Sequence, residues 1–312
     1  MNPSPVAREY LEKGFSATCP IIDMHGHLGP FYGCYLPSCT TDRMRHRLRR
    51  CGVRRIVCSH HSALACDAAR GNALMQEVVR EYPDEFLGYW VINPNYPAET
   101  VRDLRAFDRL TGFVGLKFWP DYHLVPVTSP KYAAALEFAE GHGLLVLVHT
   151  FGESPFDAPA LLGEVAARYP RARFLMGHSG YGEWERSVAI ARDLTNVYLD
   201  LTSVFQALDF SQMPGGSLMP RAPALSPHVN GLIEYMVETA GSRKVVFGSD
   251  LPWYSQHYHA GAVLFARISD EARHDILHRN AERLLGAHLG EAAETRPTAE
   301  RAPSAERQGH RP

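Results

Sequence analysis

The chain has 312 residues, 45% of them hydrophobic, with a formal net charge of −2 at pH 7 and a sequence pI near 6.8. That is enough apolar material for a large core and too little positive charge for a nucleic-acid-binding face. No stretch approaches the roughly 18 unbroken apolar residues of a membrane span, and MNPSPVAREYLEKGF lacks the basic-then-apolar pattern of a secretory leader, so a cytoplasmic protein without membrane or nucleic-acid partners is expected.

The arginine-rich run Arg43–Arg55 reads as the solvated side of a surface helix. All six cysteines fall in the first 66 residues (Cys19, Cys34, Cys39, Cys51, Cys58, Cys66) without CxxC spacing, which reads as reduced, structural thiols.

In chain order, short apolar runs rich in β-branched residues recur: PIID at 20–23, RRIVC at 54–58, FLGYWVI at 86–92, FVGLKF at 113–118, LLVLVH at 144–149, RFLMGH at 173–178, NVYLDL at 196–201 and KVVFGS at 244–249. Between them lie amphipathic stretches such as DAARGNALMQEVVREY and KYAAALEFAEGHG, several ending in Gly or Pro as helices do. Strand and helix in alternation imply parallel strands. The first and last runs start 224 residues apart over seven intervals, a mean of 32, which matches a (β/α)₈ barrel; an open doubly wound sheet is the alternative. One domain is expected: a lead-in segment at 1–18, the barrel at 19–290, and a Pro-, Ala- and charge-rich tail at 291–312 that reads as disordered. The seventh interval is long, 48 residues. Its FQALDFSQMPGGSLMPRAPALSP segment, following a strand, would form a lid or substrate wall on the catalytic face.

Metal-type side chains follow the apolar runs. Asp23, His25 and His27 are spaced by two, so continued extended geometry would point all three to one side. His149, His178 and Asp250 end the fifth, sixth and eighth runs. Any one of these is commonly a cap or a hydrogen-bonded core residue; together they sit at the strand ends where barrel enzymes keep their chemistry. Imidazole with carboxylate suits Zn²⁺, with other divalent ions open. Lys117, in an apolar strand of a lysine-poor chain, has three readings: a carbamylated bridge between two ions, an ammonium for a substrate carboxylate, or a side chain reaching solvent. His60, His61, Trp119, Tyr181 and Trp253 are candidates to shape a substrate pocket, with packing as the other reading.

The segments IIDMHGH, GFVGLKFWP, LLVLVHT, FLMGHSG, VVFGSDLPW and ILHRNAERLLG, in this order over about residues 19–290, resemble the amidohydrolase superfamily, in particular the amidohydrolase-related branch of hydrolases and non-oxidative decarboxylases. The resemblance implies that His25, His27, His149 and Asp250 ligate the metal and that His178 lies beside its water. In two-metal members His149 and His178 would take the second ion with Lys117 carbamylated; one ion is favoured here. The last segment looks like the helix by which that branch closes its barrel.

On this reading the first expectation is hydrolysis of a small lactone, ester or amide, with Zn²⁺ lowering the pKa of its water from about 15.7 towards 7 and Asp250 moving the proton. Lys117 and the VINPNYP segment favour it. The rival is decarboxylation of an aromatic or unsaturated acid in the same cage, and a third reading is a non-catalytic metal-binding barrel, against which the complete ligand set argues. A small-molecule substrate is expected, and a homodimer is allowed.

Overall fold

A computed structural model describes residues 3–204 and 230–289. The tail at 291–312 and the FQALDFSQMPGGSLMPRAPALSP segment, for which the sequence predicts disorder and a substrate wall, lie outside these residues. Eight strands, β1 (Ile21–Leu28), β2 (Val53–His60), β3 (Phe86–Val91), β4 (Phe113–Phe118), β5 (Leu145–Val148), β6 (Arg173–Met176), β7 (Val197–Asp200) and β8 (Val245–Val246), pair in sequence order, and each neighbouring pair is parallel. The ring closes on itself. Met24 N–H donates to Phe247 O at 2.8 Å, Asp250 N–H to His25 O at 2.8 Å and His27 N–H to Leu251 O at 2.7 Å. The fold is a single-domain (β/α)₈ barrel.

Helices connect the strands: α1 (Pro5–Lys13) ahead of β1, α2 (Thr41–Arg50), α3 (His61–Ala65), α4 (Ala68–Glu81), α5 (Pro97–Ala106), α6 (Pro120–His123), α7 (Ala133–His142), α8 (Pro159–Arg168), α9 (Trp184–Asp193), α10 (Gly231–Ala240), then α11 (Gln256–Phe265), α12 (Asp270–His274) and α13 (Asn280–Leu285). Their ends follow local chemistry. Asp67 accepts from Arg70 N–H to start α4, Ser269 from Ala272 N–H to start α12, and Gly143 closes α7 at φ 59°, a left-handed conformation that costs glycine least. The lead-in is a docked helix: Val6, Ala7 and Tyr10 of α1 are buried, and the Tyr10 hydroxyl donates to Cys19 O at 2.8 Å. On the arginine-rich α2, Arg45 and Arg49 converge on Glu85 at 2.7 and 3.0 Å.

Because the strands are covered on one side by the barrel interior and on the other by helices, most of their residues are apolar and buried. Ile22, Met24, Val57, Leu87, Tyr89, Val114, Leu147, Leu175 and Val246 pack together with Ala281, Leu284 and Leu285 of α13. Helix α13 therefore plugs the N-terminal end of the barrel and leaves the other end for chemistry.

Candidate active site

One backbone irregularity decides which side chains reach that end. The β1–β2 register pairs Asp23 with Ile56 and then Gly26 with Cys58, so β1 carries one extra residue between them. Such a bulge re-aims the strand. Hence the alternation expected for Asp23, His25 and His27 does not hold. Met24 joins the barrel interior, and Asp23 takes bonds from the Ser249 hydroxyl, from Gln256 Nε2 at 2.7 Å and from Ser249 N–H at 3.1 Å. Burial pushes the Asp23 carboxyl up to about 7. Past the bulge, His25 and His27 turn to meet Asp250.

The ligand-type atoms of His25, His27 and Asp250 all lie within 4.8 Å of one another. Asp250 Oδ1 stands 2.9 Å from His27 Nε2 and 3.7 Å from His25 Nε2. That oxygen is buried and, among the described residues, has no hydrogen-bond partner. Two imidazole nitrogens facing an orphaned carboxylate oxygen form a donor set that suits a divalent cation. The other nitrogens are fixed from behind. His25 Nδ1 lies 2.5 Å from Asp200 Oδ2, and His27 Nδ1 lies 2.9 Å from the Ser59 hydroxyl. A carboxylate accepting from Nδ1–H selects the tautomer whose Nε2 lone pair is free to ligate. Burial holds both imidazoles well below the ordinary histidine pKa, so both are neutral, as metal ligands must be.

Asp200 ends β7 and is fully buried, taking further bonds from the Thr202 hydroxyl at 2.8 Å and Thr202 N–H at 3.0 Å. Gly248 makes room for it: a Cβ there would stand 1.8 Å from Asp200 Oδ1. Sequence reasoning missed Asp200, although its position, a carboxylate at a strand's C-terminal end, is the same signal that picks out Asp250.

His149 is not part of this trio. Its Nδ1 lies 3.0 Å from His178 Nε2, its Nε2 lies 3.7 Å from Asp121 Oδ2, and it groups with Asp121 and Asp157. Burial and the Asp121 charge push the Asp157 carboxyl up to about 7. His178 Nδ1 is 3.3 Å from the Ser203 hydroxyl, and burial pulls its imidazole down to about 3. His178, Ser203 and Asp250 all adopt left-handed backbone, at φ 58°, 65° and 59°, a conformation that costs a non-glycine residue about 1–3 kcal/mol and clusters at functional sites.

Lys117 is only 1% exposed, with Nζ 3.3 Å from His25 Nε2, which overturns the reading of a side chain reaching solvent. Burial pulls its ammonium down to about 8.

These groups open on a cavity of about 290 Å³ walled by Leu64, Trp119, Tyr122, Phe151, Trp253 and Tyr254. Trp119 and Tyr122 stack at 3.5 Å between ring centroids. His61 lines it too, donating from Nδ1 to Gly29 O at 2.6 Å and accepting Trp253 Nε1–H at 3.0 Å. Two expected wall residues do not line it. His60 accepts Ser62 N–H at 3.1 Å and so caps α3. Tyr181 packs one layer back, its ring against Phe151 and Trp184. Phe151 and Tyr122 carry no signal in sequence beyond being aromatics after a strand.

This is the C-terminal mouth of a barrel with histidines and an aspartate aimed at one point, the arrangement of metal-dependent barrel enzymes. A family model described as amidohydrolase, of the second amidohydrolase type, matches residues 22–287, and the chain belongs to that metal-dependent enzyme family. No curated protein matches the chain. Among solved structures, an uncharacterised TIM-barrel protein from Bordetella bronchiseptica is similar at TM-score 0.68 and 18% identity, covering 87% of this chain and 100% of that one. 5-Carboxyvanillate decarboxylase from Sphingomonas paucimobilis follows at TM-score 0.65 and 14% identity, over 86% and 99%. A dihydroxybenzoic acid decarboxylase from Polaromonas sp. JS666, holding manganese and the inhibitor 2-nitroresorcinol, is similar at TM-score 0.65 and 16% identity, over 86% and 97%. Among the described residues no helix is long and apolar enough to cross a membrane.

Proposed function

We propose that the protein is a metal-dependent decarboxylase of a small aromatic or unsaturated carboxylic acid. The observation that carries this reading is a slot walled by aromatic rings whose floor holds a buried ammonium, Lys117, beside the His25–His27–Asp250 cluster. The Trp119, Phe151 and Trp253 rings in the cavity wall would meet a flat ring by stacking and edge contacts, and the Lys117 charge offsets a carboxylate that would otherwise be desolvated without a partner. The two decarboxylases of similar fold, acting on carboxyvanillate and dihydroxybenzoate by their names, support the same substrate class.

His25, His27 and Asp250 would hold the cation, with His149 as the fourth ligand that the family resemblance implies. When bound, the ion supplies Lewis-acid polarisation and an anchor for the substrate's carboxylate. Zn²⁺ and Mn²⁺ both suit the donors. Asp250 would pass a proton to the carbon bearing the carboxylate. The carbon–carboxylate bond then breaks, its electron pair returns to the ring, CO₂ leaves, and solvent restores the proton to Asp250. His178, neutral because of burial, serves as a hydrogen-bond partner for the substrate and not as a cation.

Hydrolysis, the first expectation from sequence, becomes the second reading. What favours it is the proximity of His149 Nδ1 and His178 Nε2, 3.0 Å apart, as a pair that would share a second ion with Lys117. The third-strand segment counted for it does not enter the cavity: Asn95 instead accepts from Lys131 Nζ and donates to His123 O at 2.8 Å. Metal-loaded protein offered 2,6-dihydroxybenzoate, 5-carboxyvanillate and a lactone panel separates the two. CO₂ release abolished by a chelator is the expected result; lactone opening with no CO₂ from any acid would reverse the order.

A further inference from the structure

At the opposite end of the barrel a second group of ligand-type residues meets, unrelated to the active site. Cys19 lies just ahead of β1, and His274 and His278 lie four apart on the helical stretch that runs from α12 into α13. One ligand atom from each of the three lies within 4.8 Å of the other two. The geometry points to a structural transition-metal site for Zn²⁺ or a similar borderline cation, held by the Cys19 thiolate and one imidazole nitrogen each from His274 and His278.

Four observations carry it. First, His274 Nδ1 and His278 Nε2 stand 3.0 Å apart. Two nitrogens at about 2.0–2.1 Å from a tetrahedral ion stand roughly 3.4 Å apart, and a thiolate sulfur at about 2.3 Å stands roughly 3.6 Å from each. The two imidazoles are therefore already near the separation a shared ion requires, with the sulfur within 4.8 Å of both. Second, His278 Nδ1 lies 3.0 Å from Glu282 Oε1. That is the carboxylate–imidazole relay that fixes a ligating histidine with its other nitrogen towards the metal. Third, a π-helical turn, Asp275–Arg279, starts directly after His274 and contains His278, a rare feature that is frequent at functional sites. Fourth, Cys19 and His278 are buried while His274 is only partly so, which leaves the ion a route from solvent. A bound dication would offset the thiolate charge, so the buried sulfur is not left as a lone charge. Such an ion would tie the segment leading into β1 to the helix that plugs the barrel floor.

The test uses the whole chain, stripped with a chelator and reloaded with Co²⁺. A thiolate ligand to Co²⁺ gives an intense near-ultraviolet charge-transfer band, which the imidazoles and carboxylate of the active site do not produce. The expected result is that band in the wild type, and its loss in Cys19→Ser together with one equivalent of bound cobalt, while turnover at the other end of the barrel persists. His274→Ala, at the more accessible ligand, serves if Cys19→Ser does not fold and should remove the band likewise. Glu282→Gln should weaken cobalt binding at this site by about 10–100-fold. A wild type without the band, or a band that survives both ligand substitutions, would overturn the assignment, the second outcome placing the thiolate on another cysteine.

Discussion

His25, His27 and His178 at the mouth of the barrel are each held by a neighbour, and this makes the proposed roles separable by substitution. Asp250→Asn keeps the size and one oxygen of the side chain but removes the transferable proton. Bound metal should largely remain while kcat falls about 10²–10⁴-fold, the range that positioned acid–base groups contribute; metal analysis beside steady-state rates checks both halves, and an unchanged kcat would remove Asp250 from proton transfer. Asp200→Asn acts through another residue. It weakens the hold on His25 Nδ1, so metal affinity should drop about 10–100-fold with the fold retained, as read by competition with a chromophoric chelator. Lys117→Met should raise KM for carboxylated substrates far more than it lowers thermal stability, since it removes an ammonium buried at a desolvation cost; a KM left untouched would break the link between this lysine and the substrate carboxylate.

Among the elements, the strands and most of their ends were legible because a parallel barrel strand is buried on both faces and leaves an unbroken apolar run. All eight runs read from sequence correspond to β1–β8, and α13 closes the barrel floor as the ILHRNAERLLG resemblance implies. The bulge in β1 was not legible, since it is a slip of backbone pairing that no composition records, and the false alternation of Asp23 with His25 and His27 follows from it. His60 was misplaced for a related reason. It looks like a strand-end residue, but α3 begins one residue later and draws its ring into capping. Asp121, in the single turn of α6 after β4, and Asp157, in the loop after β5, sit where carboxylates are ordinary, and only their meeting with His149 distinguishes them. The loop entering β7 gives an element-scale test. Asn196 Nδ2 donates to Ala166 O, Tyr169 O and Ala172 O, each at 3.0 Å, tying the end of α8 to the start of the strand. Asn196→Ala orphans those carbonyls and should cost about 1–3 kcal/mol in denaturant unfolding, with the active site intact.

For the whole molecule, the cluster of His25, His27 and Asp250 lies across the line where the last strand meets the first. A cation bound there stabilises only the closed ring, so at a free metal concentration about 100 times its Kd the fold should gain about 2.7 kcal/mol; calorimetry with and without chelator measures it, and coincident melting curves would mean that no ion bridges that line. The same arrangement also has a consequence in time. Ribosomes deliver the two histidines near the start of synthesis and the aspartate near its end, so a nascent chain carries half a chelating site until β8 docks. Such distant pairings are slow to form. Metal capture then belongs to the closing stage of folding, and a messenger truncated ahead of β8 would yield a protein unable to retain the ion, however well its earlier strands had assembled.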